Sequence, residues 1–351
     1  AEGRKIIHME VGEPDFDTPQ PIVAAAVDEL VRKKMTHYAP NRGTLKLRKS
    51  IASMLKTEYQ VEVDPVDEIL VTVGAAEAIF DVIFSLVDAS DEVIILTPAY
   101  MNYENCINMA GAKCVKVALE EKEGFQINRE RLEAAVTEKT RMLVVTNPNN
   151  PTGQLLGREY LRELLEHCRQ QGIIVVLDEC FIEFCETDTE QPRSLLGKID
   201  QYENLLLVRA FTKSFAMPGV RLGYLVCSNE GLREKIRRQL PEWNLSVFAQ
   251  RAGIVCAEQA EQYLQDTVEY VKTKRAYLRE GLEALGIRVV SGEADFLLLY
   301  TTQPIYDRLL AKGILIRNCE NFRGLGEGYY RIAVKKQEEN EVLLRELAMG
   351  D

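Results

Sequence analysis

From about residue 69 the chain alternates short apolar runs with stretches of helical periodicity. EILVTVG (68–74) reads as a strand, and AAEAIFDVIFSLV, with apolar residues three and four apart, as an amphipathic helix. EVIILTP (92–98), KCVKVAL (113–119), RMLVVTNP (141–148), IIVVLDE (173–179), LLLVRAF (205–211) and VRLGYLVC (220–227) read as further strands. Helical segments fall at 102–110 and in REYLRELLEHCRQQG, which stops at Gly172. Strands this rich in Val, Ile and Leu leave no face for water. They predict an α/β domain with a mostly parallel, seven-stranded type of sheet covered by helices on both faces.

After residue 240 the pattern changes. VEYVKTKRAYLREGLEALG is a long helix, IRVVSG, DFLLLYTT, ILIRNC and YYRIAV are short strands, and NEVLLRELAMG is a closing helix. The expected organisation is a large domain over 36–240 and a small α+β domain from 1–35 and 241–351. The opening segment, GEPDFDTPQPI followed by a helix to about residue 34, packs against the small domain in this scheme.

With 351 residues, 46% of them hydrophobic, the chain is large enough for two such cores. No apolar run reaches the ~18 residues of a membrane span. Lys and Arg total 43 against 54 Asp and Glu, so the net charge of −11 argues against a general nucleic-acid partner. The eight cysteines are scattered through apolar stretches without a C-x-x-C pair, as expected of core residues in a reducing cytoplasm. His8, His37 and His167 are too separated to suggest a metal site. No signal-peptide pattern is present, and the expected location is the cytoplasm.

The residues that can carry chemistry lie at strand ends, where open α/β sheets bind ligands. Gly74, Ala75 and Ala76 join a strand to a helix; they suit either an anion at the helix N-terminus or a tight turn of small packing residues. Tyr100 can stack on a planar ligand or simply fill the core. The run Asn147-Pro-Asn-Asn-Pro-Thr-Gly153 fixes a rigid loop from which Asn150 can hydrogen-bond a ligand. Asp178 ends an apolar strand, where a charge needs a cationic partner or serves as a helix cap. Lys213 follows LLLVRAF and precedes Arg221 by eight residues. Such a lysine is a solvated surface group or, if buried near other cations, a carbonyl nucleophile. Taken together these groups suit pyridoxal phosphate: a lysine for its aldehyde, an acid for its ring nitrogen, an anion cradle, a stacking ring and a donor to its hydroxyl.

The motifs VGEPDFDTP, HYAPNRGTLKLR, VTVGAAEAI, TPAYMNY, TNPNNPTG, VVLDE, FTKSFAMPGVRLGY and YYRIAV cover nearly the whole chain. In this order they resemble the fold-type-I pyridoxal-phosphate enzymes of the class I/II aminotransferase group. The resemblance implies Lys213 as the Schiff-base lysine, Asp178 as the partner of the ring nitrogen, Asn150 on the ring hydroxyl and Tyr100 stacked on the ring. It implies a phosphate cup of Gly74, Ala75, Ala76 and Arg221. Tyr38 resembles the tyrosine that reaches a neighbouring subunit's cofactor phosphate, which implies a homodimer with shared active sites. Arg331 resembles the arginine that pairs with the substrate carboxylate, and Gly12 the glycine beside it. Two positions depart from the family pattern. Ala210 stands where a phosphate-binding Ser or Thr is common, with Thr212 as the candidate replacement, and Phe181 stands where many members carry tyrosine.

The C-terminal half, from LDECFIEF to YYRIAV, is most similar to threonine-phosphate decarboxylases of cobamide synthesis and, more weakly, to histidinol-phosphate aminotransferases. The opening segment resembles general amino-acid aminotransferases. The expected function is therefore transfer of an amino group from an α-amino acid to a 2-oxo acid. A decarboxylase on the same scaffold is the alternative, with Arg317 or Arg323 joining Arg331 on a carboxylate or phosphate. For both arginines surface salt bridging is the competing role. A non-catalytic ligand sensor of the kind fused to DNA-binding regulators fits poorly with the acidic charge and the intact lysine.

Overall fold

The computed structural model describes residues 6–185 and 194–349. Seven strands form the large sheet: Ile69–Thr72 (β1), Glu92–Thr97 (β2), Lys113–Ala118 (β3), Thr140–Thr146 (β4), Ile174–Asp178 (β5), Leu205–Ala210 (β6) and Gly223–Val226 (β7). Their order is β1-β7-β6-β5-β4-β2-β3. β7 runs antiparallel to both neighbours and the remaining pairings are parallel. Alternate residues of one strand enter different cores. Val71, Leu143, Leu177 and Leu207 belong to one cluster, while Leu70, Val144, Val176 and Leu206 belong to the other. That two-sided burial is why these strands read as continuous apolar runs.

A second, antiparallel sheet is built from Arg288–Val290 (β8), Phe296–Tyr300 (β9), Arg317–Asn318 (β10) and Tyr329–Ala333 (β11), in the order β10-β11-β9-β8. Helices Ala260–Ala284 and Gln337–Ala348 cover it through Leu278, Leu282, Leu343 and Leu347. The run ILIRNC is not one strand. Ile314–Leu315 pairs in parallel with Ile7–His8, and the chain then changes partner so that Arg317–Asn318 pairs with β11. The N-terminal segment is thereby tied to the small sheet, with Met9 in its core. Helix Gln20–Val31 packs on helix Val247–Glu258, and Ile22, Ala249 and Ala252 share a cluster with Leu47 and Ile51 beneath the large sheet.

Candidate active site

Five strands of the large sheet end on one side, and the residues that follow them enclose a cavity of about 320 Å³. β1 leads to Ala75 and Ala76, β2 to Tyr100, β4 to Asn150, β5 to Asp178 and Phe181, and β6 to Thr212 and Lys213; all of these line the cavity, together with Arg221. The small domain and N-terminal segment close it with Gly12, Phe296, Arg317 and Arg331. A larger open groove of about 1020 Å³ lies between helix Leu45–Tyr59 and residues 257–263, but it contains none of the strand-end residues.

Gly74 has φ +76° and opens helix Gly74–Leu86. A Cβ at this position would stand 2.7 Å from Arg221 Nη2, so only glycine lets the guanidinium lie against this helix N-terminus. Free N–H groups of the first turn and a planar cation on one spot make a cradle for a phosphate or carboxylate. Ala75 and Ala76 keep it open.

The Asp178 carboxylate is held on both oxygens. Tyr103 donates its hydroxyl to Oδ2 at 2.7 Å, and the Cys180 N–H donates to Oδ1 at 3.0 Å. The parallel register sets Thr146 beside Asp178, and the Tyr103 hydroxyl lies 2.8 Å from Thr146 Oγ1. Burial, and then the Asp178 charge, push the Tyr103 phenol well above its usual range, so it acts here as a neutral donor.

Lys213 Nζ donates to the Gly12 carbonyl and lies 5.8 Å from the centroid of the Phe181 ring. Burial lowers the proton affinity of its amine, opposed by the nearby charge of Asp295. Phe181 packs edge-on against Phe296, with centroids 5.3 Å apart at 88°. The residue that departs from the family tyrosine thus forms an apolar joint between the two domains. Ala210 lines the cavity with a methyl group alone, and Thr212 supplies the nearby hydroxyl.

Arg331 lies over Phe296, its guanidinium 5.2 Å from the ring centroid. Nη1 donates to Asn150 Oδ1 at 2.6 Å and Nη2 to the Glu10 carbonyl at 2.9 Å, while Nε is buried without an acceptor. Arg317 stacks at 5.0 Å over Phe322 and donates to Asn321 Oδ1 at 2.7 Å. Tyr100 meets Tyr103 edge-on at 5.7 Å and is 43% exposed.

Three expected site residues are absent from the cavity lining: Gly74, whose place against Arg221 is given above, Arg323 and Tyr38. Arg323 does not line it: the chain makes a short bridge from Arg323 to Leu325, and the arginine charge acts on Cys114 of β3. Tyr38 is 79% exposed and stacks on Trp243 at 4.4 Å. Conversely, Tyr103, Thr146, Cys180, Phe296 and Phe322 also line the cavity; Thr146 ends β4 and Cys180 follows β5, so the strand-end signal could have found those two, whereas nothing comparable marks Tyr103, Phe296 and Phe322. Tyr103 sits inside helix Asn102–Met109, where an aromatic reads as core.

Residues 4–347 match the family model described as aminotransferase class I and II. The chain belongs to this aminotransferase family. The aminotransferase is 31% identical over 345 residues to an aspartate aminotransferase of Pyrococcus abyssi, covering 95% of this chain and 88% of that one. It shares 34% identity over 286 residues with a candidate threonine-phosphate decarboxylase of Caldanaerobacter subterraneus, covering 80% of this chain and 76% of that one. Among solved structures, an aromatic aminotransferase from Pyrococcus horikoshii superimposes with a TM-score of 0.88 at 30% identity, over 98% of this chain and 95% of that one. This aminotransferase therefore has the family's architecture throughout, a mostly parallel sheet with a small antiparallel domain.

Proposed function

We propose that the enzyme binds pyridoxal 5'-phosphate in the 320 Å³ cavity and transfers an amino group from an α-amino acid to a 2-oxo acid. One observation carries this reading: a half-buried lysine, a doubly held aspartate and an anion cradle all face one cavity. The residues present fit the cofactor. The missing side chain of Gly74 gives Arg221 its place, and the buried Arg331 Nε lacks an acceptor that an anionic substrate would supply.

When bound, pyridoxal phosphate supplies an aldehyde that condenses with amines and a ring that withdraws electrons. Arg221 and the first-turn N–H groups of Gly74, Ala75 and Ala76 would hold the phosphate. Asp178, kept in place by Tyr103 and the Cys180 N–H, would accept a hydrogen bond from the protonated ring nitrogen. Asn150 would donate to the ring hydroxyl, and Tyr100 would cover the ring. Lys213 Nζ would be the attachment point. Its amine, when free, would take the proton from the substrate α-carbon and deliver it to the cofactor's aldehyde carbon, the proton shift that moving the amino group requires. Arg331 receives the substrate carboxylate on its planar fork beside Gly12. Phe181 and Phe296 keep water from the reacting side.

Borohydride reduction of the purified protein followed by peptide mapping tests this assignment. The reduced cofactor should appear on Lys213, and Lys213→Ala should bind the cofactor without turning over. Label on another lysine would refute it.

Arg317 gives the decarboxylase reading its specific support, because an arginine in the cavity beyond Arg221 and Arg331 suits a further anion such as a substrate phosphate. A panel of amino acids that includes threonine phosphate, assayed for both keto product and CO₂, separates the two. The exposed Tyr38 supports the assembly we infer, a homodimer in which this tyrosine completes the neighbouring phosphate cup. Six of the eight cysteines are buried, which supports the reducing cytoplasm as its location.

A further inference from the structure

Asp295 immediately precedes β9, the strand that places Phe296 under the Arg331 guanidinium. It is 4% exposed, and no side chain donates to either carboxylate oxygen, its own backbone N–H being the local support. A carboxylate left this way is costly to bury, so its retention calls for a charge that compensates it. Gly12 lets it approach the site. A Cβ at Gly12 would lie 3.7 Å from Asp295 Oδ1 and 3.1 Å from Phe296 Cδ1. The carbonyl of the same glycine accepts from Lys213 Nζ. One residue of the N-terminal segment therefore has the lysine amine on one side and the buried carboxylate on the other.

The charge balance of the cavity shows what this carboxylate is needed for. The lining contains Lys213, Arg221, Arg317 and Arg331, and Asp178 is its only acid. Asp178 is already engaged by two donors. Asp295, just outside this lining, is a further buried carboxylate on the cationic side, and the strongest acidic influence on Lys213.

The geometry points to Asp295 as a positioning residue for Lys213: the buried counter-ion, contributed by the small domain, that holds the lysine amine at Gly12. The surrounding charges agree. Burial disfavours the ammonium of Lys213, Asp295 is the strongest influence opposing that, Cys180 and Glu13 help more weakly, and Arg331 acts against it. Burial likewise disfavours the Asp295 carboxylate, which Lys213, Arg331, its own backbone N–H and Lys335 support in that order. Lys213 belongs to the large domain and Asp295 to the small one, so this pairing exists only where the two domains meet around Gly12.

The inference rests on the proposed role of Lys213 as the reactive amine, but its test needs no turnover. Cofactor-free protein is acylated with an amine-reactive reagent across a pH series, and labelling of Lys213 is read by peptide mass spectrometry. In Asp295→Asn the midpoint for Lys213 labelling should fall by about one pH unit, equivalent to about tenfold faster labelling below the midpoint. An unchanged or raised midpoint would overturn the proposal. Should Asp295→Asn fail to fold, Asp295→Ala replaces it, and failure of both would assign Asp295 to structure and overturn the proposal as well. If the protein proved unable to transfer amino groups, the two midpoints would still be comparable.

Discussion

Tyr103 and Asp178, 75 positions apart in the chain, are joined by a hydrogen bond of 2.7 Å from the phenol to Oδ2. The donor is buried and neutral, and it fixes the carboxylate that faces the cavity. Tyr103→Phe removes this bond and keeps the ring. A hydrogen bond to a charged group is worth ~1.5–3 kcal/mol, so affinity for pyridoxal phosphate should fall about ten- to a hundredfold. Fluorescence titration of the cofactor-free protein measures it. Affinity equal to that of the unaltered enzyme would show that Asp178 is oriented without the phenol.

Arg331→Lys keeps the charge but loses the fork that reaches Asn150 and the Glu10 carbonyl together. KM for the amino acid should rise by about two orders of magnitude, with a smaller change in kcat, because an ammonium cannot match a carboxylate bidentately. Steady-state kinetics on the best substrate decides it; an unaltered kcat/KM would remove Arg331 from the substrate site.

Asp81 provides a pH prediction. It is 1% exposed in helix Gly74–Leu86, neither oxygen has a donor, and burial, with Glu77 nearby, pushes its carboxyl up to about 8. The folded chain keeps this proton to about pH 8, whereas the unfolded chain releases it near 3.8. The folded state therefore binds more protons between those limits, and stability falls as pH rises through that window. Asp81→Asn mimics the protonated form. It should flatten the slope of Tm against pH between 5 and 8 and raise Tm at the upper end by about 2–5 °C. Parallel slopes for the two proteins would show that Asp81 is not the titrating group.

The shared site is testable by complementation. Tyr38→Phe weakens the neighbour's cofactor site, and Lys213→Ala disables its own. After subunit exchange, a heterodimer carries both lesions in one site and neither in the other, so mixing the two variants should restore part of the activity. Proven exchange without recovery, or a fully active monomer by sedimentation, would reject the arrangement.

The strand ends were legible because a run of Val, Ile and Leu closed by a turn has few other fates. β2, β5 and β6 lie within the runs that predict them, β4 begins one residue ahead of its run, and Tyr100, Asn150, Asp178 and Lys213 stand at their cavity-facing ends. Glycine at 74 was also readable as a special position, though its reason, the Arg221 guanidinium, was not. Arg317 and Arg323 looked equivalent in sequence. They stand six positions apart, but one ends on the cavity and the other beyond it, because a short strand and a turn divide the segment.

By itself, then, the sequence determined which segments form the sheet and which side chains stand at its ligand-binding edge. Periodicity records what each segment must bury, and turn chemistry records where each must stop. Which groups meet across the cavity was decided only by the tertiary structure. Gly12 reaches Lys213 across 201 positions, Asn150 reaches Arg331 across 181, and Phe181 closes on Phe296. These contacts join two independently patterned sheets, and the pattern of one sheet carries no record of how the other packs against it.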